Sequence, residues 1–326
     1  MTIVATKPSV AIIGAGMSGL ACAGTLSEAG WNVTIFEKSR GAGGRMATRR
    51  LETSHGTASF DFGAQYFTVR DPGFARQVAV WADLGLASRW PDARDDAWIG
   101  VPTMNAVLRN LASHHDLRLG HHVHGLARAE GKWRLLGNHP VADQFDKIVL
   151  ALPAEQTAPI MTLHDFELAR AALFARSQPC WTGMFAFAEP LALEHHILRD
   201  AGLITWAARN SAKPGRDGPE SWVVQAAPAW STANLEHAPD VVAPHLLAAL
   251  ADANGQALPP LLASSIHRWR YALSAGTGIG NLWNADIGIG ACGDWLLGPR
   301  VECAWISGQT LAARMLDTAT LTGASQ

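Results

Sequence analysis

The chain has 326 residues, with 26 lysines and arginines against 28 aspartates and glutamates, a formal net charge of -2 and 48% hydrophobic residues. That length is enough for two domains with a sizeable core. The near balance of charge excludes a global field for nucleic acid or a membrane surface, so any anion site is local and the expected partner is a small molecule.

From the start of the chain, Val10 to Ile13 reads as a buried strand, followed by a glycine turn, a small-residue helix from Met17 to Ala29, a stop at Gly30 and a second strand from Asn32 to Phe36. The apolar run from Ser9 to Leu26 could imitate a secretory segment, but its glycines fall at motif spacing and a polar strand-and-loop pattern follows it. "FDFGAQYF" alternates as a strand and then enters a turn at Asp71, Pro72 and Gly73, which opens an apolar-periodic helix from Phe74 to Leu84. A short helix in "TMNAVLRNLASHH", a hairpin turning at Glu130 and Gly131, and an apolar strand "KIVLALP" come next.

Beyond residue 155 the pattern changes. A helix at Phe166 to Ala175, strands near Trp181 to Phe187, Leu203 to Ala208 and Trp222 to Ala226, and a helix from Asp240 to Ala253 do not alternate as parallel crossovers require. "DIGIGACGDW" then returns to a buried strand, and "RVECAWISGQTLAARMLD" ends the chain as a helix. The expected fold is α/β: a discontinuous Rossmann-type domain from 1–66, 115–155 and 272–326, and a mixed or antiparallel α+β substrate domain from 67–114 and 156–271. No other uninterrupted apolar run approaches the roughly 18 residues a membrane span needs. Cys22, Cys180, Cys292 and Cys303 lie far apart without CxxC spacing, which reads as reduced thiols in a cytoplasm.

Gly14, Gly16 and Gly19 form GxGxxG after a strand and at the opening of a helix, with Glu37 ending the next strand. The first glycine makes the tight turn, the second lets a pyrophosphate approach the backbone, and the third lets helix pack on strand; Glu37 accepts from ribose hydroxyls. A single such loop satisfies most dinucleotide sites, yet "RGAGGRM" follows at once. Its Gly43 and Gly44 amides and the Arg45 guanidinium are a second set of donors for the same ligand.

These stretches resemble the FAD-binding signature of the flavin amine oxidases, and "KSRGAGGRM", "DFGAQYFTVRD", "WAARNSAKPGRD", "HRWRYA" and "CGDW…RVECAWISGQ", in that order, are similar to the bacterial renalase-like branch. The resemblance implies non-covalent FAD held by Gly14, Gly16, Met17, Ser18, Gly19, Glu37, Lys38, Gly44, Arg45 and Met46. It also implies Gly63, Ala64 and Gln65 beside the flavin ring, Val123 at the adenine, and Asp294, Val301 and Glu302 as the third cofactor element. Small residues permit close approach to a flat ring, and Gln65 offers a directional polar contact. A helix opening near Val301 and Glu302 aims free amides at whatever lies above it and stabilises negative charge there. Tyr66, Phe67, Thr68, Arg70, Trp206, Arg268 and Arg300 are the implied substrate contacts, with Tyr66 and His267 the candidate catalytic residues. The segment between Trp90 and Trp98 is short beside that family's pattern, so the pocket wall it supplies is where this chain departs from it.

The implied activity is oxidation of dihydronicotinamide dinucleotide isomers, by hydride transfer to flavin, to NAD(P)+, with O2 reoxidising flavin to H2O2. Phosphates of such a substrate need cations, for which Arg70, Arg209, Lys213, Arg268 and Arg270 are candidates. The competing reading is an amine oxidase acting on a small amine; another is a flavoprotein without catalysis. "HHDLRLGHHVH" lacks a compact ligand set with a carboxylate, so no metal is expected. No GxSxG elbow is present. No nucleic-acid or membrane partner is expected, and the chain acts as a monomer or dimer.

Overall fold

The computed structural model describes residues 7–323. They fall into two compact units: one runs up to Gly44, from Leu108 to Arg176 and from Ser274 onward, and the other from Arg45 to Val107 and from Ser177 to Leu273.

The first unit is built on a six-stranded sheet in the order Leu282–Asn284, Ile289–Ala291, Lys147–Leu150, Ser9–Ile13, Asn32–Glu37, Asp116–Leu119. All neighbours are parallel except the Leu282–Asn284 edge, which runs antiparallel to Ile289–Ala291. Parallel strands are covered on both faces, and the central one accordingly carries an unbroken apolar run, with Val10, Ala11 and Ile12 wholly buried. The chain leaves this strand through Gly14, whose φ is +111° and whose missing Cβ would fall 2.5 Å from the Ala151 carbonyl oxygen, so only glycine fits. It enters the helix Met17–Glu28, on which the helix Val301–Gly323 lies with its Gly308 against the Ser18 carbonyl; Gln309 ties the pair by bonds to Thr25 and Ala21. The hairpin Val123–Ala129/Lys132–Gly137 turns at Glu130 and Gly131, both at positive φ, as a two-residue type I′ turn requires.

The second unit is built on a five-stranded sheet, Ile197–Ala201, Ile204–Arg209, Glu220–Ala226, Ser177–Phe187, Leu261–Ser274. Its side chains divide with period two. Trp181, Phe185, Phe187, Trp222, Val224 and Ala226 pack on one side with Val242, Leu246 and Leu250 of the helix Pro239–Asn254. Met184, Ala186 and Val223 pack on the other with Ala58 and Phe60 of the hairpin Thr48–Thr53/Gly56–Asp61.

That hairpin places residues 45–66 with the second unit, whereas the sequence grouped them with the first; burial of Ala58 and Phe60 against the antiparallel sheet is the physical reason. Residues 108–114 and 156–176 cluster with the first unit, the helices Ala154–Thr162 and Phe166–Phe174 contributing Ala158, Ile160, Met161, Ala169 and Ala172 to its core. The strand expected through "FDFGAQYF" ends at Asp61, and the residues after it form an irregular turn.

Candidate functional site

In the first unit the candidate cofactor residues gather at the carboxyl ends of the parallel strands, the crevice where open α/β sheets bind ligands. Gly14 to Gly19 follow Ser9–Ile13, Glu37 ends Asn32–Glu37, and Asp294 follows Ile289–Ala291. The first turn of the helix Met17–Glu28 has no side-chain cap at Gly16, so its amides face outward as donors. A Cβ built on Gly16 meets no heavy atom within 4 Å, leaving the space a pyrophosphate needs against the backbone. The buried Glu37 carboxylate accepts from the Ala15 amide (2.9 Å) and the Ser39 amide (2.8 Å), fixing both loops and leaving each oxygen a further acceptor site for a ribose hydroxyl. These residues fit a dinucleotide.

The second glycine loop lies directly on the first. Gly43 donates its amide to the Ala15 carbonyl (3.1 Å), and a Cβ on Gly44 would stand 3.4 Å from the Gly16 Cα. The Gly43 amide, expected to serve the ligand, is therefore spent on the fold; Gly44 remains exposed and Lys38 lies exposed just beyond its strand. Met17, Ser18 and Val123 are buried within this unit, as is Asp294 in the turn Asp294–Leu296. Arg300 pairs with the buried Glu302 (2.9 Å) at the opening of the helix Val301–Gly323, so the charge expected to meet substrate has a carboxylate partner.

In the second unit the turn from Asp61 to Tyr66 is held from many sides. Asp61, wholly buried, accepts from the Met104 amide (2.9 Å), the Thr48 hydroxyl (2.8 Å), Arg216 (2.5 Å) and Lys213 (3.4 Å). Burial alone would raise its carboxyl, but Lys213 and Arg216, with the Met104 amide, outweigh that and hold it below the usual value. Burial pushes the Lys213 ammonium down to about 8 against the pull of Asp61. Lys213 also donates to the side-chain oxygen Oε1 of Gln65 (3.2 Å), while the side-chain nitrogen Nε2 of Gln65 donates to the backbone carbonyls of Asp61 and Gly63 (3.1 Å to the latter). Gln65 thus staples its own turn. The directional contact expected of its side chain is turned inward, because a buried amide must satisfy its own donors. Gln225 donates to the Gly63 carbonyl (2.8 Å), and the Ala64 amide donates to the Arg45 carbonyl (2.8 Å). A Cβ on Gly63 would fall 2.0 Å from that same Arg45 oxygen. Met46 is buried beside it in the short turn Gly44–Met46.

Two aromatic groups flank this turn. Tyr66, half-buried, contacts Trp206 with ring centroids 5.5 Å apart, and its hydroxyl pairs with Arg94. Arg199 lies over the Trp206 ring at 4.3 Å. Separately, Phe62 stacks on Trp269 at 5.1 Å and His267 sits edge-on to both at 4.9 and 4.3 Å. Burial, with help from Arg49, lowers His267 to about 4, so its imidazole is neutral at ordinary pH. Tyr66 and His267 therefore belong to different clusters.

Other expected substrate contacts are placed elsewhere in this unit. Phe67 is buried, pairs its backbone with Trp98 and sets its ring edge-on to Phe74, a core position dictated by the apolar helix beneath it. Thr68 is buried and Arg70 exposed. Arg268 donates to the Leu235 carbonyl and pairs, like Arg270, with Glu236. Arg209 pairs with Glu220 at 3.0 Å. The sequence had not singled out Asp61, Arg216, Arg94 or Arg199; the signal for the first two is a lone acid in an apolar strand, "SFDFG", and "AKPGRD", whose cations answer it.

All four cysteines are free and buried. Among the described residues no group of three or more His, Cys, Asp or Glu could hold a metal, and no helix is long and apolar enough to cross a membrane.

Residues 12–80 match the family of NAD(P)-binding Rossmann-like domains. Curated relatives match locally. The carotenoid phi-ring synthase of Streptomyces griseus is 40% identical over 91 residues, 26% of this chain and 17% of the synthase. An L-amino-acid oxidase of Bothrops pictus is 56% identical over 43 residues, 13% of this chain and 9% of the oxidase. Solved structures match almost end to end. A candidate protoporphyrinogen oxidase of Exiguobacterium sp. 255-15 superposes with a TM-score of 0.75 at 14% identity, over 95% of this chain and 99% of that one. The cyclohexylamine oxidase of Brevibacterium oxydans IH-35A gives 0.70 at 13% identity, over 97% and 100%. The chain thus carries a Rossmann-like dinucleotide-binding domain. Its fold is the one these two solved structures share.

Proposed function

We propose that this chain is an FAD-dependent oxidase of renalase type. It takes a hydride from a misreduced dihydronicotinamide dinucleotide, releases NAD(P)+, and passes the two electrons to O2 as H2O2. FAD, the cofactor of the superfamily whose fold the chain shares, supplies the two-electron acceptor when bound. The residues that hold it are those of the glycine loops, with Glu37, Lys38, Arg45, Met46, Val123, Asp294, Val301 and Glu302; Gly63 and Ala64 offer the small surface a flat ring needs. The cofactor is proposed to be held non-covalently.

The observation that carries the substrate is the Arg199 guanidinium, which lies over Trp206 on the Tyr66–Trp206 wall. Arg94 holds the Tyr66 hydroxyl, but its charge is already paired with Asp96. A cation at a flat aromatic wall repels an ammonium substrate and attracts an anionic one with a flat ring. Tyr66 and Trp206 orient the dihydropyridine, and the neutral His267 supplies no proton, in keeping with a hydride transfer that consumes none.

The second reading is oxidation of a small amine, favoured by the local match to L-amino-acid oxidases and by the fold shared with cyclohexylamine oxidase. One anaerobic experiment separates the two. Borohydride-reduced NAD+, which holds several dihydro isomers, then NADH, then a panel of amines are added while flavin absorbance is followed. Bleaching by the isomer mixture and not by amines is expected; bleaching by amines alone refutes the proposal.

A further inference from the structure

Within the second unit a cavity of about 570 Å³ is walled by Asp92, Ala93, Glu194, His195, His196, Ile197 and Arg199. That volume lies in the roughly 300–1,000 Å³ range of small-molecule sites. We propose that this cavity is the subsite for the adenosine diphosphate half of the dinucleotide, with Arg199 as its phosphate-binding cation. The inference rests on the dinucleotide reading above and adds to it where the non-reacting half of the substrate lies.

The cations expected to serve phosphate are mostly committed elsewhere. Arg209 pairs with Glu220, Lys213 with Asp61, and Arg268 and Arg270 with Glu236. A paired guanidinium is already neutralised and hydrogen-bonded, so it has little to offer a phosphate. Arg199 differs. It donates one bond to the Ala93 carbonyl (2.5 Å) and has no carboxylate partner among the described residues. With five N–H donors in a fixed fork, it keeps donors in the geometry that two phosphate oxygens accept.

Its position is fixed rather than free. Arg199 stands directly across the strand pair from Trp206, with its guanidinium over that ring. The Ala93 carbonyl that it meets belongs to the short segment between Trp90 and Trp98, which is closed by bonds from Ala93 to Trp90, Ala97 to Arg94 and Trp90 to Ala97. The same segment carries Arg94, the partner of the Tyr66 hydroxyl. One loop therefore touches both the aromatic wall, through Arg94, and the cavity, through the Ala93 carbonyl that holds Arg199, so a ligand with a flat ring at the first and a diphosphate at the second meets Arg199 between them.

The remaining walls suit a nucleoside. Asp92 is held by His196 at 2.7 Å, while Glu194 and His195 are exposed polar groups of the kind that meet ribose hydroxyls, and Ile197 is an apolar patch for a base.

The test uses the FAD-loaded protein. Calorimetric titration with ADP is expected to show binding that Arg199→Met weakens at least about tenfold and Arg199→Lys weakens less. Methionine keeps an apolar cover on Trp206, and near-UV circular dichroism checks that this ring stays packed. In turnover, preference for borohydride-reduced NAD+ over borohydride-reduced nicotinamide mononucleotide, as a ratio of kcat/KM, is expected to fall about tenfold in Arg199→Met. Absence of ADP binding to the parent protein, or binding indifferent to Arg199, overturns the subsite. If neither reduced mixture bleaches the flavin, the proposed substrate fails; ADP binding that depends on Arg199 would then still uphold the subsite.

Discussion

Asp61→Asn tests how the turn bearing Gly63, Gln65 and Tyr66 is held. The substitution keeps the volume and removes the carboxylate that Lys213 and Arg216 share, when the three side chains are 0%, 0% and 1% exposed. Removing one member of a buried ion cluster costs about 3–5 kcal/mol, because the remaining charges are left without compensation. That is a large share of a typical domain's 5–15 kcal/mol. The pH dependence gives a sharper check. Lys213 titrates at about 8 in the folded protein, below its ordinary 10.5, so between those values the unfolded chain binds more protons and stability rises with pH. Loss of Asp61, whose charge opposes the shift, moves the folded value lower still. The cost of Asp61→Asn is therefore larger at pH 7, where Lys213 is still charged in the folded parent, than at pH 10, where it is neutral in both folded proteins, and it shrinks by more than about 1 kcal/mol between the two. Urea unfolding followed by tryptophan fluorescence at the two pH values measures it. A cost below about 1 kcal/mol at pH 7, or one that does not change with pH, refutes the reasoning.

Gly16→Leu adds a side chain to space that no protein atom fills, so the protein is expected to fold with unchanged thermal stability as apoprotein and to purify colourless; a fully flavin-loaded variant would sink the cradle assignment. Gly308→Val drives a Cβ to within 2.1 Å of the Ser18 carbonyl and is expected to cost about 3 kcal/mol or more in chemical denaturation, by prising the terminal helix from the helix Met17–Glu28. His267, at about 4, contributes no ionisation between pH 6 and 9, so the pH profile of anaerobic flavin bleaching keeps its shape in His267→Gln; an inflection near pH 6.5 that vanishes with the substitution would show the imidazole charged in the native protein.

What was legible in the sequence is what depends on neighbours along the chain. Gly14, Gly16, Gly19 and Glu37 sit within one strand, helix and strand, and each has a local reason: a positive φ at Gly14, open space at Gly16, a helix laid close at Gly19. The turn at Glu130 and Gly131 is legible for the same reason. The strand Leu261–Ser274 was missed because "SSIHRWRYALS" puts polar and charged residues on successive positions, and nothing local says that Phe62 and Trp269 stack.

Asp61 shows why the rest could not be read. An acid within an apolar alternation reads as one polar step of a strand that continues, whereas Asp61 ends the strand here, and its partners Lys213 and Arg216 are more than 150 residues away. Only tertiary structure brings them together, and only burial gives the cluster its consequences. In water the same three charges would hold one another by about a kilocalorie; enclosed, they fix the Gln65 side-chain amide through Lys213, in a turn where Gly63 and Ala64 carry nothing larger than a methyl group. Sequence resemblance could say that this turn matters. The charge cluster explains why the turn has one shape, and it predicts that Gln65→Ala disturbs the site through lost staples to Asp61 and Gly63 rather than through a lost contact to ligand.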